Sequence, residues 1–294
     1  MDQPQREAPV YDRTAEDVGN IIEFGHVNTR VPDQQLATLF YVTGLGLTRD
    51  PYLMTGTENM WINVGTSQFH LPTGPAQVTR GVVGLVLPDL DALRTRLKRV
   101  ASRLRGTAFS VEDRGASVDV TCPWGNRIRC HAPAPEFGPI VLGIPYVAFD
   151  VARGTTEGIV RFYREVVGSQ AARDADGTAR IGAGPDTVLL YRETDRVLPP
   201  YDGHHIQVSL ADFSGPYRRL LARGQITEES DQHQYRFQTL VDPASGETLA
   251  EVEHEVRSMR HPLFARVLVN RNPAATNLHY ATGHEAAAWA QFPA

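Results

Sequence analysis

Imidazoles and carboxylates are the groups through which this chain could do chemistry. His26 lies in IIEFGHVNTRV, His70 in SQFHLP, His131 in RIRCHAP, His205 in GHHIQVSLAD and His233 in DQHQYRF, while Glu251 and Glu253 fall in LAEVEHE. Side chains alternate faces along a strand, so His205, Gln207 and Ser209 share one face and His204 shares the other with Ile206. Neutral imidazole and carboxylate suit a divalent first-row metal or general acid and base work. Other chemistries are poorly served. Of 29 basic residues only Lys98 is a lysine, and it sits among arginines in LRTRLKRV, a solvated helix face, which argues against Schiff-base catalysis. The two cysteines, Cys122 and Cys130, have neither CxxC spacing nor the density of a disulfide scaffold.

The composition bounds the rest. The chain has 294 residues, 41% hydrophobic and 21% charged, which is ordinary for a globular protein of about two domains. A net charge of −5 with scattered arginines argues against nucleic-acid binding. With a polar N-terminus and no apolar run of roughly 18 residues, the reading is a cytoplasmic protein with no membrane contact.

The elements that must carry these side chains repeat. Phe40-Tyr41 in LFYVTGLGL returns as Phe162-Tyr163 in RFYREVVGS, LPDLDALRTRL at 87–97 returns as LADFSGPYRRL at 210–220, and CPWGNRIRC at 122–130 resembles DPASGETLAEV at 242–252. Each half divides again, since GHVNTRVPD at 25–33 can be laid on GVVGLVLPD at 81–89 and on GHHIQVSLAD at 203–212. Four units of roughly 55 to 60 residues result, each an alternating strand, a cap, an amphipathic helix and three short strands.

Four tandem βαβββ modules, together with FYVTGLGL, the strand-then-Asp pattern and the DPASG turn, resemble the vicinal oxygen chelate superfamily. This superfamily includes glyoxalase I, bleomycin-resistance proteins, fosfomycin-resistance enzymes and extradiol ring-cleaving dioxygenases. The resemblance implies an α+β fold with two domains of curled mixed sheets. Consecutive modules are expected to pair, giving an N-terminal domain over 20–137 and a C-terminal domain over 138–256. A flexible extension over 1–19 and a tail over 257–294, packed across the cavity mouth or on a neighbouring subunit, complete the organisation.

Inward residues of the first and last strands would then supply a metal. In the first module the phase leaves Phe24, His26, Asn28 and Arg30 inward. The N-terminal pair assembles His26, Gln68, Val82 and Arg129, too few ligands for a metal, so His26 and His70 are expected to line a vestigial pocket. The C-terminal pair assembles His205 and Glu251 as metal ligands with Tyr146 or Ala148, one histidine short of the 2-His-1-carboxylate face that the resemblance implies. His233, Tyr146 and Tyr235 are the catalytic candidates. Gln207, Arg236 and Glu253 are the substrate-binding candidates, and Arg271 in the tail is a candidate anion contact. The expected function is a metal-dependent, extradiol-dioxygenase-like enzyme using Fe(II) or Mn(II) on a small oxygen-rich or aromatic substrate, as a possible homodimer. The competing reading is a metal-free small-molecule-binding protein of the bleomycin-resistance kind.

Overall fold

The four modules anticipated from the repeat are present in a computed structural model that describes residues 11–53 and 56–271. Module one comprises β1 (Ile21–Asn28), α1 (Gln34–Ala37) running into a π-helical turn (Thr38–Gly44), β2 (Thr48–Arg49), β3 (Asn59–Val64) and β4 (Ser67–Pro72). Module two has β5 (Gly81–Val86), α2 (Leu90–Ala101), β6 (Ser110–Asp113), β7 (Ser117–Thr121) and β8 (Arg127–His131). Module three has β9 (Tyr146–Ala152), α3 (Thr156–Arg161) with a second π-helical turn (Phe162–Val167), β10 (Ala171–Arg173), β11 (Ala179–Gly182) and β12 (Val188–Thr194). Module four has β13 (His205–Leu210), α4 (Ser214–Leu221), β14 (Ile226–Asp231), β15 (Gln234–Val241) and β16 (Thr248–Ser258).

Local chemistry explains the recurring grammar. In modules one, two and four the aspartate after the first strand caps the helix: the Asp33 carboxylate accepts from the N–H groups of Gln35 and Leu36, Asp89 does the same for Asp91 and Ala92, and Asp212 accepts from Gly215, whereas α3 follows Thr155 without a side-chain cap. Each such cap satisfies orphan donors of the first turn and is worth about 1 kcal/mol. The repeated Phe-Tyr pairs fall in the two π-helical turns, where all four rings are fully buried in the core between helices and sheet.

Two open eight-stranded mixed sheets form, in an order that corrects the expected pairing. One runs β14-β15-β16-β13-β1-β4-β3-β2 and the other β10-β11-β12-β9-β5-β8-β7-β6. Module one therefore shares its sheet with module four, and module two with module three. The joins are the antiparallel pairs β1–β13 and β5–β9, both formed by first strands that alternate well enough to lie at a sheet centre. One phase also shifts. Register irregularities between Phe24 and His26 turn Phe24 into the core rather than inward, while His26 and Asn28 keep the inward face.

Of the expected N-terminal extension, Arg13–Glu16 form a short helical turn capped by Asp12. The segment after β16 crosses the first sheet: Asn270 bonds both the N–H and the C=O of Gly65, and Arg266 pairs with Asp50 at 2.5 Å. The AAAWAQF stretch lies outside the described residues. Among the described residues no helix is long and apolar enough to cross a membrane.

Candidate metal centre

The helix caps fix which positions correspond across the first sheet. Aligning Asp33 with Asp212 puts His26 on His205 and Asn28 on Gln207. The parallel registers Asn28 with His70 and Gln207 with Glu255 then put His70 on Glu255. Two related pairs, His26 with His205 and His70 with Glu255, thus face one another across the β1–β13 join.

Ligand atoms of His26, His70 and His205 all lie within 4.8 Å of one another. The cluster is out of solvent, with His26 at 1% and His205 at 7% exposure. Each ring is oriented from behind. His70 has Nε2 2.7 Å from the Asn59 side-chain oxygen and Nδ1 2.6 Å from the Asn28 amide, and its ring stacks on Trp61. His205 Nδ1 lies 3.4 Å from Glu253, leaving Nε2 directed at Glu255, 3.5 Å away. Such a partner fixes the tautomer of a ligating imidazole; it leaves His205 Nε2 available, whereas His70 Nδ1 would have to exchange its Asn28 contact for a metal.

Burial keeps His26 and His70 neutral. Burial drives His26 well below the usual imidazole range and lowers His70 to about 3. Burial opposes charge on Glu255, but the neighbouring His205, His26 and Arg257 outweigh it and hold the carboxyl below the usual range. Arg236 donates to Glu255 Oε2 at 2.7 Å, and Arg257 lies 2.6 Å from Oε1 without an aligned hydrogen bond.

Of the buried side-chain atoms without a hydrogen-bond partner among the described residues, four belong to this centre: His26 Nε2, His205 Nε2, Arg236 Nε and Glu255 Oε1. Buried orphans are costly, and the unpartnered imidazole nitrogens of His26 and His205, whose rings belong to one close cluster, are what a cation would satisfy. Neutral imidazoles beside an ionised carboxylate are a fitting donor set for Zn(II), Fe(II) or Mn(II).

The anticipated residues divide accordingly. His205, Gln207, Arg236 and Glu253 come together at this centre. His26 and His70, expected in a vestigial pocket, are central because module four completes their sheet. Glu251 does not reach His205: the register pairs His205 with Glu253, and Glu251 lies beyond it, 42% exposed, 3.7 Å from Arg80 and bonded to Gln238. Tyr146 belongs to the other sheet, where His131 Nε2 holds its hydroxyl at 2.9 Å. Tyr235 faces the helix layer against Phe213 and Tyr217. His233 sits in the β14–β15 turn, its N–H bonded to Asp231. Arg271 is exposed, with its backbone N–H on Thr48. Glu255 was missed although it shares the strand face of Glu251 and Glu253; only the sheet register separates the three.

Solved structures of similar architecture include glyoxalase I from Zea mays, 16% identical, with 80% of this chain and 92% of that chain covered at a TM-score of 0.55. A Bacillus subtilis subsp. subtilis str. 168 protein provisionally described as a dioxygenase is 15% identical, with 83% and 87% covered at a TM-score of 0.53. The chain has the vicinal oxygen chelate fold. No protein-family model matches the sequence, and no curated protein does.

Proposed function

We propose that the protein is a metal-dependent enzyme, dioxygenase-like in its chemistry, acting on a small oxygen-rich molecule bound at the centre between modules one and four. The observation that carries this reading is the cluster of three mutually close imidazoles, His26 and His205 buried and His70 half-buried, with His26 Nε2 and His205 Nε2 lacking hydrogen-bond partners. His26, His70 and His205 would hold a divalent ion with Glu255 beside them, and such an ion supplies Lewis acidity toward substrate oxygens or a place to activate dioxygen. The chain's own residues do the remaining work. Gln207, fully buried opposite His26, can donate to a substrate oxygen, and Arg236, held by Glu253 and Glu255, keeps the carboxylate ionised and oriented. The segment that carries Arg266 and Asn270 is anchored on Asp50 and Gly65 of the same sheet.

Anaerobic titration with Fe(II), Mn(II) and Zn(II), read by calorimetry and elemental analysis, tests the proposal. One metal per chain is expected, with binding lost in His26→Ala and His205→Ala and kept in Glu251→Gln. Absence of binding by all three ions would overturn it. The ion pairs of Glu255 with both Arg236 and Arg257 favour the second reading, a metal-free binding protein, because they balance the carboxylate without an ion. That reading requires ligand-induced stabilisation that survives a strong chelator.

A further inference from the structure

The second sheet keeps the architecture of the first and inverts its chemistry. Asp33 on Asp89 puts Val82 at the position of His26, and the Phe40-Tyr41 to Phe162-Tyr163 match puts Ala148 there in module three. These two residues are directly opposite in the β5–β9 pair. The registers Gly84 with Arg129 and Asp150 with Arg192 then put Arg129 and Arg192 at the positions held by His70 and Glu255 in the first sheet. Two imidazoles have become small apolar side chains, and the remaining imidazole and the carboxylate have become guanidinium groups. A cation has no ligands at this place, whereas an anion has donors.

Space and partnering narrow the ligand. Tyr146 lies against Gly84, where a Cβ would meet its ring at 2.5 Å, and its hydroxyl is held by His131, so the phenol forms a fixed wall. Outside it opens a cleft of about 490 Å³ whose apolar sides are Phe137, Pro145, Tyr146, Val188 and Leu190 and whose charged lining is Arg180, Arg192, Glu136 and Asp186. That volume suits a small organic molecule. The neighbours of Arg192 on this sheet are committed: Arg127 and Arg196 pair with Asp150, Arg129 is bidentate on Asp119, and Arg180 pairs with Asp174. Arg192 makes no ion pair among the described residues. Asp186 and Glu136, which also line the cleft, disfavour a ligand with two negative charges.

We propose that this cleft is a second, metal-independent binding site for a small organic monocarboxylate with an apolar ring-sized body, its carboxylate on Arg192 and its body against Tyr146, Phe137 and Leu190. The site is independent of the metal centre and does not rest on the function proposed for it.

The test is calorimetric titration of the full chain with 3-phenylpropionate in excess chelator, beside its neutral analogue 3-phenylpropan-1-ol. Saturable binding is expected for the acid, roughly tenfold weaker for the alcohol. Arg192→Gln, an exposed position whose replacement leaves the fold intact, should weaken the acid about tenfold and leave the alcohol unchanged. His26→Ala should alter neither. No saturable binding of the acid, equal binding of acid and alcohol, or an unchanged affinity in Arg192→Gln each overturns the proposal. Loss of binding in His26→Ala but not in Arg192→Gln also overturns it, by assigning the ligand to the first sheet.

Discussion

A buried imidazole can coordinate only if it is neutral and aimed, and the two requirements are met by different residues here. Burial supplies neutrality for His26 and His70. Aim comes from Asn59 behind His70 and Glu253 behind His205. Replacing such a supporting residue typically weakens metal affinity 10- to 100-fold, so Asn59→Ala should lower it by at least about tenfold in the same titration while leaving the unfolding midpoint of the metal-free protein nearly unchanged. The metal-free protein should also be acid-sensitive. His26 and His70 have folded pKa values below the ordinary value near 6.5 that they regain on unfolding, so the unfolded chain takes up protons first as pH falls. Their stabilising contribution is full above that value and is lost below it, by about 2 kcal/mol for His70 at pH 5 and in the same direction for His26. Denaturant unfolding at pH 8 and pH 5 checks this, and a stability unchanged or higher at pH 5 would contradict the burial described for the two rings. Glu255 does not alter the sign in that window, because its carboxyl is held below the usual range and titrates at lower pH.

Among the elements, the segment following β16 is tied to module one by a chain of polar contacts. Asn270 satisfies both backbone groups of Gly65, Asn63 donates to the Val269 carbonyl, and Gln68 links Asn63 to Asp50, which pairs with Arg266. This chain of contacts ends on β4, two residues from His70. Asn270→Ala leaves the Gly65 N–H and C=O without partners, a cost of about 1–3 kcal/mol, and hydrogen exchange should quicken over residues 63–70 before any global unfolding. Much of the element grammar was legible: alternation gave the first strands, Asp33 and Asp89 gave the helix starts, and strand parity put His205, Gln207, Glu253 and Glu255 on one face. Parity could not choose among Glu251, Glu253 and Glu255, since all three obey it and only the parallel register of β13 with β16 selects the last. Nor could it foresee the irregularity at Gly25 that sends Phe24 into the core. A Cβ at Gly25 would meet the Gln207 side-chain oxygen at 1.7 Å, so this glycine admits Gln207 to the centre.

At the scale of the whole molecule, the metal centre depends on which modules share a sheet, and chain order does not reveal it. Pairing neighbours in sequence separates His26 and His70 from His205 and leaves each half short of ligands. The residues held a hint: among the four first strands only modules one and four carry histidine at the inward position, so ligand chemistry alone favours joining the ends of the chain. The topology makes this a claim about folding. Residues 20–137 supply β1–β8, half of each sheet, and residues 138–256 supply most of the rest, so either piece alone leaves a central strand of both sheets as an unpaired edge. Each piece also holds only part of the donor set, His26 and His70 in one and His205 and Glu255 in the other. Expressed separately as 1–137 and 138–294, neither piece should bind Zn(II) or melt cooperatively. Co-expressed, they should copurify, unfold in one transition and bind one ion per pair, with His26→Ala in one piece and His205→Ala in the other each abolishing that binding. Separate pieces that melt cooperatively while failing to associate would show instead that each half builds its own sheet, and the centre described here would then not exist.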